Sequence, residues 1–302
     1  MTTTTPPAET RPAPSRGSAP APDSPGRLRE ILSGANTQLI IGCALITLVA
    51  LAALVSLFWT PYDPTRSVAG DRLLFPSPEH PFGTDRYGRD LLSGIMSGAR
   101  ITLLVGTVAV AIAAVIGVPL GILAGMRPKR LGVLIMGGSD VVMAFPGLLL
   151  AIVFGAVFGT DTYTAMIALG IGAAPAFARV TRAGTLQVMK TDYVFAAKAA
   201  NRSGLAIAIH HVLPNIGGMI VVQCSVNFSI AVLAEAGLSF LGLGTKPPTP
   251  SWGRMLQDSQ QFLGTHDYLA LIPGLAIAIA VLGFNLLGDG LRDRFDPKLR
   301  TR

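Results

Sequence analysis

Six stretches of mostly aliphatic residues, at 39–59, 101–125, 131–158, 164–178, 216–243 and 268–287, constrain what this chain of 302 residues can fold into. A helix of roughly 20 apolar residues crosses the hydrocarbon core of a bilayer. Composition agrees: half of the residues are hydrophobic and 14% are charged, against about 25% charged in an average soluble domain. The chain therefore reads as an all-α polytopic membrane protein with six transmembrane helices. Its net charge of +7 bears on membrane topology before it suggests nucleic acid. Cys43 and Cys224 both lie inside apolar runs, where they read as small buried hydrophobes rather than a disulfide framework or a metal site.

Residues 1–36 are rich in Thr, Pro, Ala and Ser and carry too few large apolar side chains to bury a core, so this tail is expected to be disordered. It does not have the layout of a signal peptide. Residues 37–100 supply the first transmembrane helix and a polar extracytoplasmic segment, with Trp59 and Tyr62 placed as interfacial anchors. In that segment Asp85 can cap a helix carrying Leu91, Leu92, Ile95 and Met96 on one side, an amphipathic spacing that would lie on the bilayer or on the other spans. Residues 101–290 form the transmembrane core, and 291–302 a C-terminal tail. Gly117, Gly121 and Gly125 recur every four residues on one face of the second span, the spacing that lets helices approach closely in lipid. No strand precedes them and no Lys-Ser/Thr follows, so they are not a nucleotide loop.

Orientation follows from the basic residues. With the N-terminus inside, seventeen Lys and Arg fall on inner segments and seven on outer ones, a bias that places both termini in the cytoplasm. The stretch TDYVFAAKAANRSGLAIAIHHVLPN, at 191–215, then lies inside the cell. Thr191 or Asp192 can cap a helix over 193–200 rich in alanine. Asn201 to Gly204 breaks it, Ser203 can cap a second helix over 205–212, and Pro214 suits the first turn of the next span. Two short helices at a bend, small on one face and basic beside it, could dock into a cleft on another protein. The plainer alternative is an amphipathic linker lying on the lipid.

Few residues could carry chemistry. Asp140 in span three and Glu235 in span five are carboxylates well inside apolar runs, where each costs on the order of 2.5–3.5 kcal/mol unless it faces a cavity or a partner. Both are candidates to line a translocation path, and an inter-helix hydrogen bond that fixes packing is the alternative for each. A proton relay would want more such groups in series. His80 and His266 fall outside near Asp85 and Asp267, a weak pattern for a metal; His210 and His211 are adjacent and point about 100° apart on a helix, so they cannot share a ligand face. The sequence has neither a Ser-His-Asp nor a Cys-His arrangement, nor a Walker-type loop. If ATP drives the protein, another chain must hydrolyse it.

The 191–215 stretch resembles the cytoplasmic coupling loop of permease subunits in ATP-binding-cassette importers. The pattern there is Glu-Ala-Ala, three residues, Gly, nine residues, Ile, any residue, Leu-Pro. Ala196, Ala197, Leu213 and Pro214 fall on it, while Phe195, Asn201 and His211 replace its Glu, Gly and Ile. Asn tolerates the left-handed conformation that Gly supplies at a helix end. Three further stretches, at 80–106, 234–256 and 273–300, are similar to the C-type permease subunits of dipeptide and oligopeptide importers, and together the resemblance runs from about residue 38 to the end.

That resemblance implies the type I importer permease fold with a coupling loop at 179–214, in which Tyr193, Ala196, Ala197, Asn201, Gly204, Leu213 and Pro214 meet the ATPase. It implies a cell-membrane complex of this chain with a B-type permease subunit, two ATPase subunits that hold ATP and Mg, and an extracytoplasmic peptide-binding protein. No cofactor, no catalytic residue and no nucleic-acid partner is expected on this chain; membrane lipid surrounds it. Related systems carry nickel, glutathione or other small solutes. An ion-gradient-driven secondary transporter is the alternative from another class, and it would be expected to show two matching halves with broken helices, which the sequence does not display. A channel or a membrane scaffold for a signalling complex is a third option, since either could use a docking loop.

Overall fold

The computed structural model describes residues 25–127 and 129–295, with side chains from residue 37 onward. Residues 1–24 and 296–302, most of the two expected tails, lie outside the described residues. Among the described residues there is no β-strand beyond a single bridge between Thr84 and Asp90.

Among the described residues five helices are long and apolar enough to cross a membrane, and a bent pair makes a sixth span if its halves are counted together. The first, α1 (Pro25–Val55), begins inside the segment expected to be without structure. Proline suits a first helical turn, where its missing N–H has no partner to lose, and the backbone runs unbroken from there into the span.

The second helix, α2 (Leu91–Met126), corrects the expected separate surface helix. Asp90, not Asp85, is its cap: the Ser93 amide and hydroxyl donate to Asp90 Oδ2 at 2.8 and 2.7 Å. Asp85 instead closes the turn before it, accepting the Tyr87 and Arg89 amides at 2.8 Å each. No breaker separates the amphipathic start from the apolar remainder, so both form one helix of 36 residues. At 1.5 Å per residue that is about 54 Å, so its first turns stand beyond a hydrocarbon core about 30 Å thick.

The third span is two helices, α3 (Arg130–Met143) and α4 (Gly147–Phe158), which meet at 80°. Pro146 sits at the break: it has no N–H to give Val142, its ring would strike that carbonyl, and it disfavours helical backbone at Phe145. The fourth span, α5 (Thr162–Val188), is capped by Asp161, which accepts the Thr164 amide at 2.7 Å. It continues past its expected end at residue 178, because Arg, Leu and Gln are good helix formers. Arg179 and Arg182 therefore lie on a helix and not in a loop.

Two short helices follow, α6 (Asp192–Ala199) and α7 (Gly204–Ile207). A wide π-type turn over Ala208–Val212 leads into α8 (Leu213–Phe240). After the connection that carries α9 (Trp252–Ser259), the last span is α10 (Tyr268–Phe295).

Small residues set how these helices touch. Gly117 lies against Ala174 and Phe177 of α5, Gly121 against Ala178 and Thr181, and Gly125 against Thr185. The glycine face is thus a packing face, and it fixes α2 and α5 side by side running in the same direction. α1 lies antiparallel on α10, with Gly42 against Leu287 and Gly290 against Leu39. Gly218 meets Phe295, so α8 starts at the end of the bundle where α10 finishes. The opposite end is closed by a cap. There Trp252 is buried and donates from Nε1 to the Ile95 carbonyl at 2.9 Å, Arg86 pairs with Asp258 at 2.8 Å, and His80 Nδ1 lies 2.9 Å from Asp90 Oδ1.

Candidate functional site

The elbow formed by α6 and α7 is anchored from below by aliphatic side chains. Val194, Ile207, Val212 and Ile216 are buried with Ile122 of α2 and Val188 of α5 in one cluster. Each full burial of such a side chain contributes about 1.5–3 kcal/mol, so the elbow is held against the ends of α2, α5 and α8 by apolar packing. Thr191 adds a tie, its hydroxyl donating to the Val188 carbonyl at 2.7 Å.

The bend closes with paired backbone bonds. Asn201 takes a φ of +56°, the left-handed region. Its amide donates to the Lys198 carbonyl and that of Arg202 to Ala197, both at 3.0 Å, the double bond pattern that ends helices around a left-handed residue. Asn is thus adequate where the family pattern has Gly. Ser203 caps α7 as expected, accepting the Ala206 amide at 3.2 Å. The widened turn has a cause in Pro214. With no N–H and a ring that crowds the carbonyl four residues back, it favours a looser turn, and the Leu213 amide reaches the carbonyl of Ala208. The His211 carbonyl is taken by Asn215 Nδ2 at 2.7 Å.

Above this anchor the face is open. Tyr193, Phe195, Ala196, Asn201, Gly204, Leu213 and Pro214 are exposed, and Ala197 is half-buried. Phe195 is 54% exposed despite being a large aromatic. Lys198 Nζ lies 5.2 Å from its ring centre, and the His211 ring lies 5.9 Å from that of Tyr193. The seven expected coupling residues are therefore brought to one elbow.

Asp140 and Glu235 part company. Asp140, on α3, is exposed and accepts from Arg179 of α5 at 2.6 Å. Glu235 is 2% exposed and lies inside the bundle. Its Oε1 accepts the Ser239 hydroxyl at 2.7 Å and lies 3.5 Å from that of Thr245. Its geometry is that of a tie between α8 and the connection after it, away from any open side of the chain.

Two cavities lie along α5. One of about 380 Å³ is bounded by α2, α4, α5 and α8, with Asn227 as its polar side chain. The other, about 370 Å³, holds Asp140, Arg179 and Arg182.

Comparison with known proteins bears directly on this geometry. Residues 117–301 match the model of the family described as binding-protein-dependent transport system inner membrane component. The chain belongs to this family. It is 40% identical to the dipeptide transport system permease protein DppC of Alkalihalophilus pseudofirmus, over 88% of each chain. It is also 40% identical to the glutathione transport system permease protein GsiD of Pectobacterium atrosepticum, over 86% of each. Among solved structures, a chain of the MetNI methionine ABC transporter in an inward facing conformation matches with a TM-score of 0.57 at 18% identity, covering 68% of this chain and 98% of that one. The fold is that of an ABC importer permease, and the likeness to the C-type permeases of dipeptide importers runs over most of the length. Membership of this family makes the chain a multi-pass membrane component of a transport system.

Reading the sequence alone missed Arg179 as the partner of Asp140, because it was counted as a loop residue. The signal was there: a carboxylate in an apolar run needs a counter-charge nearby. Asn227 was missed as well, although a primary amide midway along an apolar span is its own flag.

Proposed function

We propose that this chain is the permease half of an ATP-driven importer for di- or oligopeptides. The elbow faces the cytoplasm, where it docks one of two ATPase subunits that carry ATP and Mg. A B-type permease completes the path, and an external binding protein delivers the solute. Asp140, paired with Arg179, lines the inner part of the path. Closing of the ATPase dimer moves α6 and α7 as one lever, and the anchored ends of α2, α5 and α8 rock with them.

The observation that carries this reading is the two-sided elbow: a buried aliphatic stripe packed against three spans beneath a face that is exposed among the described residues. A linker resting on lipid would put its large apolar residues to one side, but here they lie on both. The basic-residue bias supports the cytoplasmic placement. Peptide as solute is supported by the dipeptide relative, and glutathione, itself a modified tripeptide, by the second. The test is Ala196→Arg in the assembled importer. Peptide uptake is expected to fall at least tenfold with the permease pair still assembled. Undiminished uptake contradicts the docking role, and uptake by this chain alone on an ion gradient contradicts the importer.

A further inference from the structure

The outward face of α6 is small at its centre and large at its edges. Val194 is buried and Ala197 half-buried, which fixes the inner side of the helix. At about 100° per residue, Ala196 and Ala199 then point away from the bundle, and both are exposed. Tyr193 and Phe195, two residues apart, stand on opposite edges of that alanine strip, and both are exposed. The Tyr193 edge carries the His211 ring at 5.9 Å, and the Phe195 edge carries Lys198 Nζ at 5.2 Å. Beyond the bend, Leu205 and Ile209 are exposed as well.

The charge on this stretch is one-sided. Over residues 190–202 three basic side chains, Lys190, Lys198 and Arg202, are exposed against one acid, Asp192. Among the described residues no carboxylate pairs with Lys198 or Arg202. A helix resting on lipid puts its large apolar side chains in the middle of the buried face. Here the middle is alanine, which lets a protein wall come close, and the rings stand where they would grip its sides.

The pattern that this loop resembles has Glu at position 195, where this chain has Phe. A carboxylate asks a partner for a cation or a hydrogen-bond donor. A phenyl ring satisfies neither, and a partner gains from it only by taking it out of water. Aromatic anchors seated in desolvated pockets carry most of the energy of many protein interfaces.

We infer that the ATPase subunit which seats this elbow receives Phe195 in an apolar pocket and sets acidic side chains against Lys198 and Arg202. The ring replaces the acid as the residue that selects the partner, so an ATPase shaped for a Glu-bearing elbow seats this chain poorly. This deepens the importer reading above and rests on it.

The experiment uses the complete importer in lipid nanodiscs and follows loss of its ATPase subunits after dilution. Phe195→Ala is expected to speed that loss about tenfold, the effect of truncating an interface anchor. Phe195→Glu, which restores the acid of the pattern, speeds it at least as much, and Phe195→Leu stays within about threefold of wild type. Lys198→Gln combined with Arg202→Gln speeds it about threefold at low salt and leaves it unchanged at high salt. Phe195 lies outside the buried cluster that holds the elbow, so each variant is expected to keep its partner permease. A Phe195→Glu importer that holds its ATPase as firmly as wild type overturns the apolar seat. An unchanged rate in Phe195→Ala assigns the ring to the bilayer surface or to water and overturns it too. Both results leave the importer standing. A wild-type complex from which no ATPase co-purifies overturns the importer reading and this seat with it.

Discussion

The amide of Arg202 donates to the carbonyl of Ala197 at 3.0 Å, reaching back across Asn201, whose φ is +56°. That bond turns the chain sharply enough to send α7 off at an angle to α6. A side chain without a local polar group costs about 1–2 kcal/mol in the left-handed region. Asn201→Val is expected to loosen the elbow by that amount, and Asn201→Gly to leave it intact or firmer. Hydrogen exchange of the α6 amides in the purified protein reads the difference.

Gly121 gives a sharper contrast. A Cβ there would collide with the Ala178 backbone and the Thr181 hydroxyl, whereas one at Gly137 meets nothing. Gly121→Val is expected to cost about 1–3 kcal/mol or more, as overpacking does, and to lower the thermal aggregation midpoint in detergent. Gly137→Ala should leave that midpoint unchanged or raise it slightly.

The cap hangs on Trp252, whose indole nitrogen donates to the Ile95 carbonyl at 2.9 Å. Trp252→Phe keeps much of the bulk and loses the indole bond, while the Ile95 carbonyl keeps its partner within α2, a loss of about 0.5–1.5 kcal/mol. Trp252→Ala adds a cavity, for about 3–5 kcal/mol. Denaturant unfolding followed by a probe in the cap should rank the three proteins in that order.

Asp85 makes the cap sensitive to pH. Burial pushes its carboxyl above the ordinary value of 3.8, partly offset by the Arg89 and Tyr87 amides and the Arg89 charge, while Asp258 adds to the rise. The folded state therefore keeps a proton that the unfolded chain has lost. The stability contributed by the neutral carboxyl is full below 3.8 and is lost as pH rises through the higher folded value. Asp85→Asn retains an acceptor for the two amides and should flatten this mildly acidic slope in a thermal-shift series.

The spans, the glycine face and the double elbow were legible because each rests on local pattern: apolar length, four-residue spacing, and the Ser203 cap. The fracture at Pro146 was not, since proline within a span signals a kink and says nothing of its size. The extent of α5 was missed because Arg179 and Arg182 look like loop residues until a partner such as Asp140 is in view. Glu235 and Thr245 meet across a turn in which Gly242 takes a φ of +78°, and nothing local announces that contact. The wide turn before α8 follows from a missing N–H at Pro214, an effect that propensity alone does not register.

The central claim is that the α6–α7 elbow is the cytoplasmic seat of an ATPase. Phe195→Cys, in a chain whose Cys43 and Cys224 are replaced by alanine, places a thiol on the exposed face of α6. A membrane-impermeant thiol reagent should label it in inside-out vesicles that lack the ATPase subunits, and labelling should drop at least tenfold once they are bound. Labelling from the outer face of intact cells, or equal labelling with and without the ATPase, would contradict the account.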